Sequence, residues 1–146
     1  MRIAEMSAAH VPQVAQLERL CFSDPWSERS IASELQNPLA LWLVAEQDGR
    51  VLGYVGSQTV LDESDMMNVA VAPEFRRQGI AGALIEALIA ALAKRGSRCL
   101  KLEVRESNEN ARALYESMGF RKLGLRKHYY HNPKEDALIL GKEWDN

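Results

Sequence analysis

The sequence predicts a mixed α/β domain with a single central sheet flanked by helices, and three observations support this fold class. Apolar segments of strand length are separated by turn residues, among which Asp48-Gly49 is a typical hairpin signal. Longer segments carry a helix-capping residue at one end and a stop signal at the other, such as Gly96. The 146 residues are 47% apolar and 26% charged, which suits one compact domain spanning residues 1–146.

The first elements are a strand and two helices. Met1 to Met6 is predicted to be a short strand, followed by a helix from Ala8 to about Cys21 that the preceding serine caps. This helix carries an approximate stripe at helical spacing. The stripe consists of Val11, Val14, Leu17, Glu18 and Leu20. Ser27 is predicted to cap a second, shorter helix that ends near Gln36, because a proline soon follows.

The remaining elements alternate between strands and helices. Three strands come first, at Leu39–Glu46, Val51–Val60 and Met66–Ala72, with an acidic loop at Asp62 to Asp65. They are followed by a helix from about Gly79 to Arg95, a strand at Cys99–Arg105, a helix at Asn108–Met118, and strands near Phe120–Lys127 and Asp136–Trp144. The predicted order is therefore β-α-α-β-β-β-α-β-α-β-β.

Charge and cysteine content argue against several classes of function. The formal net charge of −2 disfavours bulk attraction to nucleic acid or to an anionic membrane, although basic residues cluster at Arg76-Arg77 and from Arg121 to Lys127. Cys21 and Cys99 lie in apolar segments outside any CxxC pair, so buried free thiols are favoured over a catalytic cysteine. Neither a signal peptide nor an apolar stretch of about 20 residues is present, which predicts a cytoplasmic protein.

The loop before the third helix has the chemistry of a phosphate-binding turn. Backbone N–H groups at a helix start have no partner within the helix and point outward with the positive end of the dipole. Gly79, Ala81 and Gly82 keep side chains small there, and Arg76 and Arg77 add positive charge. A glycine-rich helix start with solvated arginines explains the same residues equally well. The pattern is neither a Rossmann fingerprint nor a P-loop.

Two motifs together resemble the signatures of the GNAT superfamily of N-acetyltransferases. Arg76, Gly79 and Ala81 match the Gln/Arg-x-x-Gly-x-Gly/Ala motif of that family, and residues 108–120 match an Asn-x-x-Ala-x-x-x-Tyr helix followed by Gly-Phe. The resemblance covers essentially the whole chain. It implies the GNAT fold, in which the central sheet splays between its fourth and fifth strands, with acetyl-coenzyme A as cosubstrate and no metal. The residues it assigns to acetyl-coenzyme A are Val69, Ala70, Val71, Arg77, Gln78, Gly79, Ile80, Ala81, Gly82 and Asn108.

Further segments narrow the resemblance to the bacterial members of the family that acetylate the N-terminal alanine of a small-subunit ribosomal protein. These segments are Pro25-Trp26-Ser27, Leu102-Glu103-Val104-Arg105, and Tyr129-Tyr130 followed by Glu135-Asp136-Ala137-Leu138. Two residues depart from that pattern: His131, where a proline often follows the paired tyrosines, and Leu140, where methionine is common. These departures affect the peptide side more than the chemistry.

Glu103 is the candidate general base. It shares one strand face with Lys101 and Arg105, while the apolar residues of that strand point the other way. The pattern alone is better explained by a solvated or cross-strand-paired face, but the resemblance implies that a glutamate at this strand position acts as the base. A peptide α-amine has a pKa of about 8, so one carboxylate, acting directly or through water, suffices to deprotonate it.

Tyr115 is the candidate general acid. Asn108 and Tyr115 lie on one face of their helix, so Asn108 can bind the pantetheine arm while Tyr115 reaches the departing sulfur. A tyrosine with a pKa of about 10 is protonated at neutral pH and can donate to a thiolate. The alternative is a core tyrosine whose hydroxyl is satisfied. Backbone amides near Val69 and Val71 can bind the pantetheine and polarise the carbonyl.

Two groups of residues are candidates for the peptide side. The aromatic group comprises Trp26, Tyr129 and Tyr130, and the acidic group comprises Asp62, Glu63, Asp65 and Glu106. The aromatic group either walls the peptide or packs in the core. The acidic group either attracts a basic peptide terminus or forms a solvated loop.

The predicted function is direct transfer of acetyl from acetyl-coenzyme A to a protein N-terminus, with Glu103 as base and Tyr115 as acid. The resemblance implies that the acceptor is the N-terminal alanine of a ribosomal protein, and a basic start is expected of it. One alternative is a lysine side chain or a small amine, although lysine's pKa of about 10.4 demands more of the base. Another is a non-catalytic coenzyme A sensor, which needs neither residue. Nucleic-acid and membrane partners are not expected.

Overall fold

The computed structural model describes residues 1–131 and 134–144, and within them seven strands form one mixed sheet in the order β1-β2-β3-β4-β5-β7-β6. The strands are β1 (Arg2–Glu5), β2 (Ala40–Gln47), β3 (Arg50–Val60), β4 (Glu63–Val71), β5 (Cys99–Arg105), β6 (Arg121–His131) and β7 (Lys134–Glu143). The α-helices are α1 (Val11–Cys21), α2 (Glu28–Glu34), α3 (Ile80–Lys94) and α4 (Glu109–Ser117), with short 3-10 turns at Ala8–His10 and Pro73–Phe75. The predicted order of strands and helices is confirmed.

The region from Asp62 to Asp65 differs from the prediction. It was expected to be an acidic loop, but Glu63 to Asp65 begin β4 and pair with β3 on one side and β5 on the other. Their side chains alternate as strand residues do, with Ser64 buried between exposed acids. The loop prediction is wrong because charge alone suggested a loop, whereas long-range pairing on both sides decides the structure.

Helix α1 also differs from the prediction, at one residue of its predicted apolar stripe. Val11, Val14, Ala15 and Glu18 face the sheet and are buried, but Leu20 is 63% exposed and lies outside the stripe. Positions 11, 14, 15 and 18 are the i, i+3, i+4 and i+7 face of a helix, so the geometry favours them over position 20. The buried face of α1 therefore contains a carboxylate.

The two faces of the sheet carry different helices and two separate apolar clusters. Helix α3 packs on the cluster that includes Leu43, Val55 and Leu100. Helices α1 and α2 pack on the opposite cluster, which includes Trp42 and Tyr54. Of the two predicted buried thiols, Cys99 is buried and Cys21 is only partly so; both are free. No helix in the described part of the chain is long and apolar enough to cross a membrane.

The sheet opens between its fourth and fifth strands. β4 and β5 are parallel neighbours, but their register covers only Glu63–Asp65 against Cys99–Lys101. Beyond that point β4 continues to Val71 along β3, with a register shift between Gly56 and Ser57, and β5 continues along β7. The predicted splay is confirmed, and the gap lies beside the second half of each strand.

Gly56 on β3 permits the close packing of an aromatic ring. A Cβ placed on Gly56 would lie 2.5 Å from Cε2 and 2.6 Å from Cδ2 of Trp42, whose indole nitrogen donates to Glu34 at 3.3 Å. We expect Gly56→Ala to lower the free energy of unfolding by roughly 1–3 kcal/mol, because the ring must move from its packed position.

Urea denaturation would measure this loss, with Gly82→Ala as the matched control. The same added methyl on Gly82 would lie 3.7 Å from Cδ1 of Leu114, an ordinary contact, and it removes a glycine from a helix. The control should therefore be neutral or stabilising by up to about 1 kcal/mol. Equal stability of the two variants would show that Trp42 adjusts without cost.

Candidate active site

The N-terminus of α3 presents free backbone donors to solvent. Gly79 caps the helix with a left-handed φ of 78°, and Arg77, two residues earlier, also has a positive φ of 64°. The first amide bonded back to the cap is that of Ala83, which donates to the Gly79 carbonyl at 3.0 Å. The amides of Ile80, Ala81 and Gly82 therefore have no partner within the helix. This arrangement fits an anionic group such as a pyrophosphate.

The start of α3 from Arg77 to Gly82, which we call the phosphate cradle, is open to solvent above Gly79. A Cβ placed there meets nothing within 4 Å, so the space above it belongs to solvent rather than to another side chain. Arg77 and Gln78 are exposed beside it, whereas Ile80 is buried and fixes the helix to the core. The residues predicted to bind phosphate thus lie together at the start of α3, where the Ile80 side chain is buried and only its backbone faces the helix start.

The Arg76 side chain does not extend toward the start of α3. Its Nε donates to the Val71 carbonyl at 3.2 Å, and a terminal nitrogen lies 3.5 Å from the Cys21 sulfur. The side chain is therefore engaged with the end of β4 rather than directed at the cradle. Arg77, by contrast, forms no side-chain hydrogen bond or ion pair with any residue in the described ranges, so its guanidinium is available at the start of α3.

Backbone amides of β4 line the gap in the sheet. The Ala72 amide donates to the Leu52 carbonyl of β3 at 2.8 Å. Because amides alternate in direction along a strand, those of Val69 and Val71 point away from β3, toward the gap. The Ala70 amide points to β3, and its side chain is buried in the apolar cluster beneath α1 and α2. Ala70 therefore presents neither its amide nor its side chain to the gap.

We expect Gly79→Glu to weaken acetyl-coenzyme A binding by at least tenfold, with Ala81→Glu acting in the same direction. Each change places negative charge at the positive end of α3, where an anion is otherwise stabilised by up to about 1–2 kcal/mol. Titration calorimetry would measure the affinity.

Glu86→Gln, in the same helix beyond the cradle, is a suitable control because it alters charge away from the helix start. Unchanged affinity in a folded Gly79→Glu protein would remove the cradle from the binding site.

Asn108 is the N-cap of α4. Its Oδ1 accepts a hydrogen bond from the Ala111 amide at 3.2 Å, which satisfies one of the free donors at the helix start. The side-chain amide nitrogen is then the donor available to a ligand. The local function of Asn108 is therefore to fix the start of the helix that carries Tyr115.

Tyr115 is buried in the apolar cluster on the face of the sheet that α3 covers, and it is 5% exposed. Its ring packs against Phe120, with centroids 5.8 Å apart. The hydroxyl has no hydrogen-bond partner among the described residues. The pKa of Tyr115 is raised well above its usual value, first by burial and then by the electrostatic influence of the neighbouring Tyr130 hydroxyl. The side chain is therefore a protonated donor at any physiological pH.

Glu103 on β5 is held by residues of β6. Its side chain is 26% exposed, and Oε1 lies 3.2 Å from Nε of Arg126. A hydrogen bond to Glu103 is also the largest cause that raises the pKa of Tyr129. The cross-strand pairing considered as an alternative for Glu103 is thus present, and the paired groups form a polar cluster on one face.

The paired tyrosines, Tyr129 and Tyr130, are part of this polar cluster. Their rings meet edge to face with centroids 5.0 Å apart, and Tyr129 is 41% exposed. Tyr130 lies beneath the guanidinium of Arg105 at 4.2 Å. Burial, followed by the charge of Glu103, raises the pKa of Tyr130 to about 12. Both tyrosines are therefore neutral neighbours of Glu103 rather than core residues.

Trp26 is linked to the core through Glu18, a residue whose importance the sequence pattern did not reveal. Glu18 is fully buried, and its carboxylate accepts hydrogen bonds from the Trp26 amide at 2.8 Å, from Asn68 at 2.8 Å and from the Tyr54 hydroxyl. The Trp26 ring packs on Trp42 with centroids 5.5 Å apart. The one sequence signal for this role was the position of an acidic residue within the apolar stripe of α1. The network joins the α1–α2 loop to β4.

The acidic group is not assembled into one surface. Asp62 pairs with Arg98 at 2.8 Å, and Glu63 pairs with Lys101 at 3.1 Å. Glu63 and Asp65 lie where β4 and β5 still pair, which is the closed end of the gap. Attraction of a basic peptide by these residues is therefore not supported by their positions.

Comparisons with known proteins agree on one family. The profile of the Acetyltransferase (GNAT) family matches residues 11–120. Ribosomal protein bS18-alanine N-acetyltransferase of Escherichia coli strain K12 is 40% identical over 140 residues, covering 94% of each chain. A putative ribosomal protein bS18-alanine N-acetyltransferase of Bacillus subtilis strain 168 is 37% identical over 139 residues, covering 94% of this chain and 92% of that protein.

Solved structures show the same architecture. The crystal structure of the ribosomal-protein-S18-alanine N-acetyltransferase from Escherichia coli superposes with a TM-score of 0.89 at 39% identity, covering 97% of this chain and 92% of the other. An aminoglycoside 6'-N-acetyltransferase complexed with coenzyme A superposes with a TM-score of 0.84 at 17% identity, covering 98% and 97%. The second likeness concerns the fold alone.

Proposed function

Because this chain belongs to the GNAT family of acetyltransferases, we propose that it transfers acetyl from acetyl-coenzyme A to the N-terminal alanine of ribosomal protein bS18. The observation that carries this proposal is the 40% identity to the Escherichia coli enzyme of that activity, which extends over 94% of both chains. Sequence identity of this level over 94% of both chains favours a shared acceptor more than the fold does, since one fold serves many amines. Two free thiols are in keeping with a cytoplasmic site of action.

The residues at the α3 N-terminus and in the gap fit coenzyme A. The amides of Ile80, Ala81 and Gly82 would hold the pyrophosphate, and those of Val69 and Val71 would bind the pantetheine arm. Acetyl-coenzyme A supplies the acetyl group as an activated thioester. Tyr115 lies on α4 and Glu103 on β5, so the two proposed proton-transfer groups come from different elements.

Glu103 has the chemistry required of a base for the acceptor. Attack requires a neutral amine, and a carboxylate that is partly exposed can accept its proton at Oε1 or Oε2, directly or through one water. The ion pair with Arg126 is made through Oε1. Tyr129 and Tyr130, which stay neutral, add polar surface beside the amine without adding charge.

Tyr115 has the chemistry required of the donor at the leaving sulfur. Its hydroxyl is free of other described partners and stays protonated. Donation to the sulfur stabilises the developing thiolate even where proton transfer is incomplete. Burial makes this donation more effective because the surrounding dielectric is low.

Mass spectrometry of acetylated peptides would test the proposed acceptor. One substrate carries a free N-terminal alanine followed by the start of bS18, and a second is N-blocked and contains lysine. We expect acetylation of the first alone. Acetylation of the second would support the lysine alternative, and no transfer to either peptide despite bound acetyl-coenzyme A would support a sensor.

A further inference from the structure

We propose that Arg126 is a positioning residue that selects the neutral form of the acceptor amine at Glu103, and thereby favours α-amines over lysine side chains. The inference rests on the proposed role of Glu103 as the base. Arg126 belongs to neither sequence motif of the family, and its position beside the carboxylate follows from the pairing of β6 with β7 and of β7 with β5.

The geometry places Arg126 directly at the carboxylate. Its Nε is 3.2 Å from Oε1 of Glu103, and its guanidinium lies 5.4 Å from the centroid of the Tyr129 ring. The Glu103 carboxylate also raises the pKa of Tyr129. The guanidinium is thus held by both a carboxylate and an aromatic face, although its side chain is 55% exposed. An amine that binds to Glu103 meets this fixed positive charge.

The other titratable groups near Glu103 and their partners lie on four strands. Each of the two cations among them is paired with a carboxylate other than Glu103. Arg105, on the same face of β5, forms an ion pair with Glu135 of β7 at 3.4 Å. Lys101, also on that face, pairs with Glu63 of β4 at 3.1 Å. Tyr130 of β6 is neutral, since its pKa is raised to about 12. Arg126 therefore supplies the positive charge most directly coupled to the carboxylate.

A fixed positive charge at the carboxylate distinguishes the two forms of an amine. An ammonium ion binding to Glu103 is repelled by the guanidinium, whereas a neutral amine is not. Bound amines therefore lose their proton more readily than they would beside the Glu103 carboxylate alone. With Glu103 and Arg126 offsetting each other, an α-amine with a pKa of about 8 keeps a neutral fraction of about one tenth at pH 7, whereas a lysine amine with a pKa of about 10.4 keeps less than about one thousandth.

The test compares Arg126→Gln with Arg126→Lys, which keeps the charge. Arg121→Gln is the matched control, because Arg121 is exposed on the same strand and forms no ion pair within the described ranges. The bS18 N-terminal peptide is the probe. Its kcat and KM are measured from pH 6.5 to 9.5, and its binding without acetyl-coenzyme A is measured at pH 6.5.

In Arg126→Gln we expect the rising limb of the kcat profile to move up by about one pH unit. At pH 7 kcat then falls about tenfold while KM for the peptide also falls, and near pH 9.5 kcat returns to within about twofold of the wild type. The peptide binds more tightly at pH 6.5, since its ammonium is no longer repelled. Arg126→Lys and Arg121→Gln should resemble the wild type.

A loss of kcat that is equal at every pH, or weaker peptide binding at pH 6.5, would overturn the inference and leave Arg126 a structural residue. The base assignment is judged separately with Glu103→Gln. If that variant is impaired while the Arg126→Gln profile does not move, the inference fails and the proposed function stands. If Glu103→Gln is fully active, the base assignment fails, and the inference fails with it.

Discussion

Replacing Glu103 by glutamine should lower kcat by about 10²–10⁴-fold at pH 6 to 7, the range expected for loss of a general base. The amide keeps the size of the side chain and can still accept a hydrogen bond from Tyr129, but it cannot take a proton from the amine. Raising the pH deprotonates the amine without help, so the deficit should narrow toward pH 9 to 10. Steady-state kinetics across this range, with saturating acetyl-coenzyme A, measure the effect.

Glu143→Gln on β7 controls for the removal of a strand carboxylate, because Glu143 is exposed and far along the sheet from Arg126. It should leave kcat unchanged at every pH. A Glu103→Gln protein with full activity at pH 6 to 7 would mean that Glu103 serves only in its ion pair with Arg126. A large loss that does not depend on pH would point instead to misplacement of the peptide.

Replacing Tyr115 by phenylalanine should slow acetyl transfer on the order of 10²-fold while leaving the fold and acetyl-coenzyme A binding largely intact. Phenylalanine fills the same space against Phe120, so the melting temperature should change little. Only the hydroxyl is lost, and it interacts chiefly as the sulfur gains charge, so kcat should fall more than KM rises. The loss stays partial because a thiol pKa of about 8.5 makes the thiolate a tolerable leaving group.

Tyr130→Phe is the matched control, since it removes a tyrosine hydroxyl beside Glu103 rather than the one on α4. A normal kcat in Tyr115→Phe together with a lowered melting temperature would identify Tyr115 as a packing residue. A larger loss in Tyr130→Phe would transfer the role of acid to Tyr130. Because burial raises the pKa of Tyr115, wild-type activity should not decline up to pH 9.5 through loss of its proton.

Local signals were sufficient for most of the fold and for the cradle. The Asp48-Gly49 turn, the Ser27 cap and the glycine at position 79 each act within a few residues, and the structure has a turn or a helix end at each. Pairing between distant segments was less predictable. The start of β4 was mistaken for a loop because its partner, β5, is distant in sequence and joins it in only a short register.

The candidate site was predictable only in part for the same reason. Glu103 and Tyr115 follow from the family resemblance, but the ion pair of Glu103 with Arg126 depends on two strand registers and on an irregularity in β6. The network around Glu18 joins a helix, a loop and two strands, so its burial could be recognised only once these were brought together. Neither feature has a short sequence signature.

The short register between β4 and β5 has a consequence for how the molecule is held together. Strands β1 to β4 form one hydrogen-bonded block and strands β5 to β7 another, and between them the sheet has a seam of three residue pairs. A ligand that binds the amides of Val69 and Val71 on one side and reaches α4 on the other bridges this seam. Such a ligand contacts both blocks only when they are held together in the folded protein. Binding of the cosubstrate therefore stabilises the association of the two blocks and raises the free energy of unfolding.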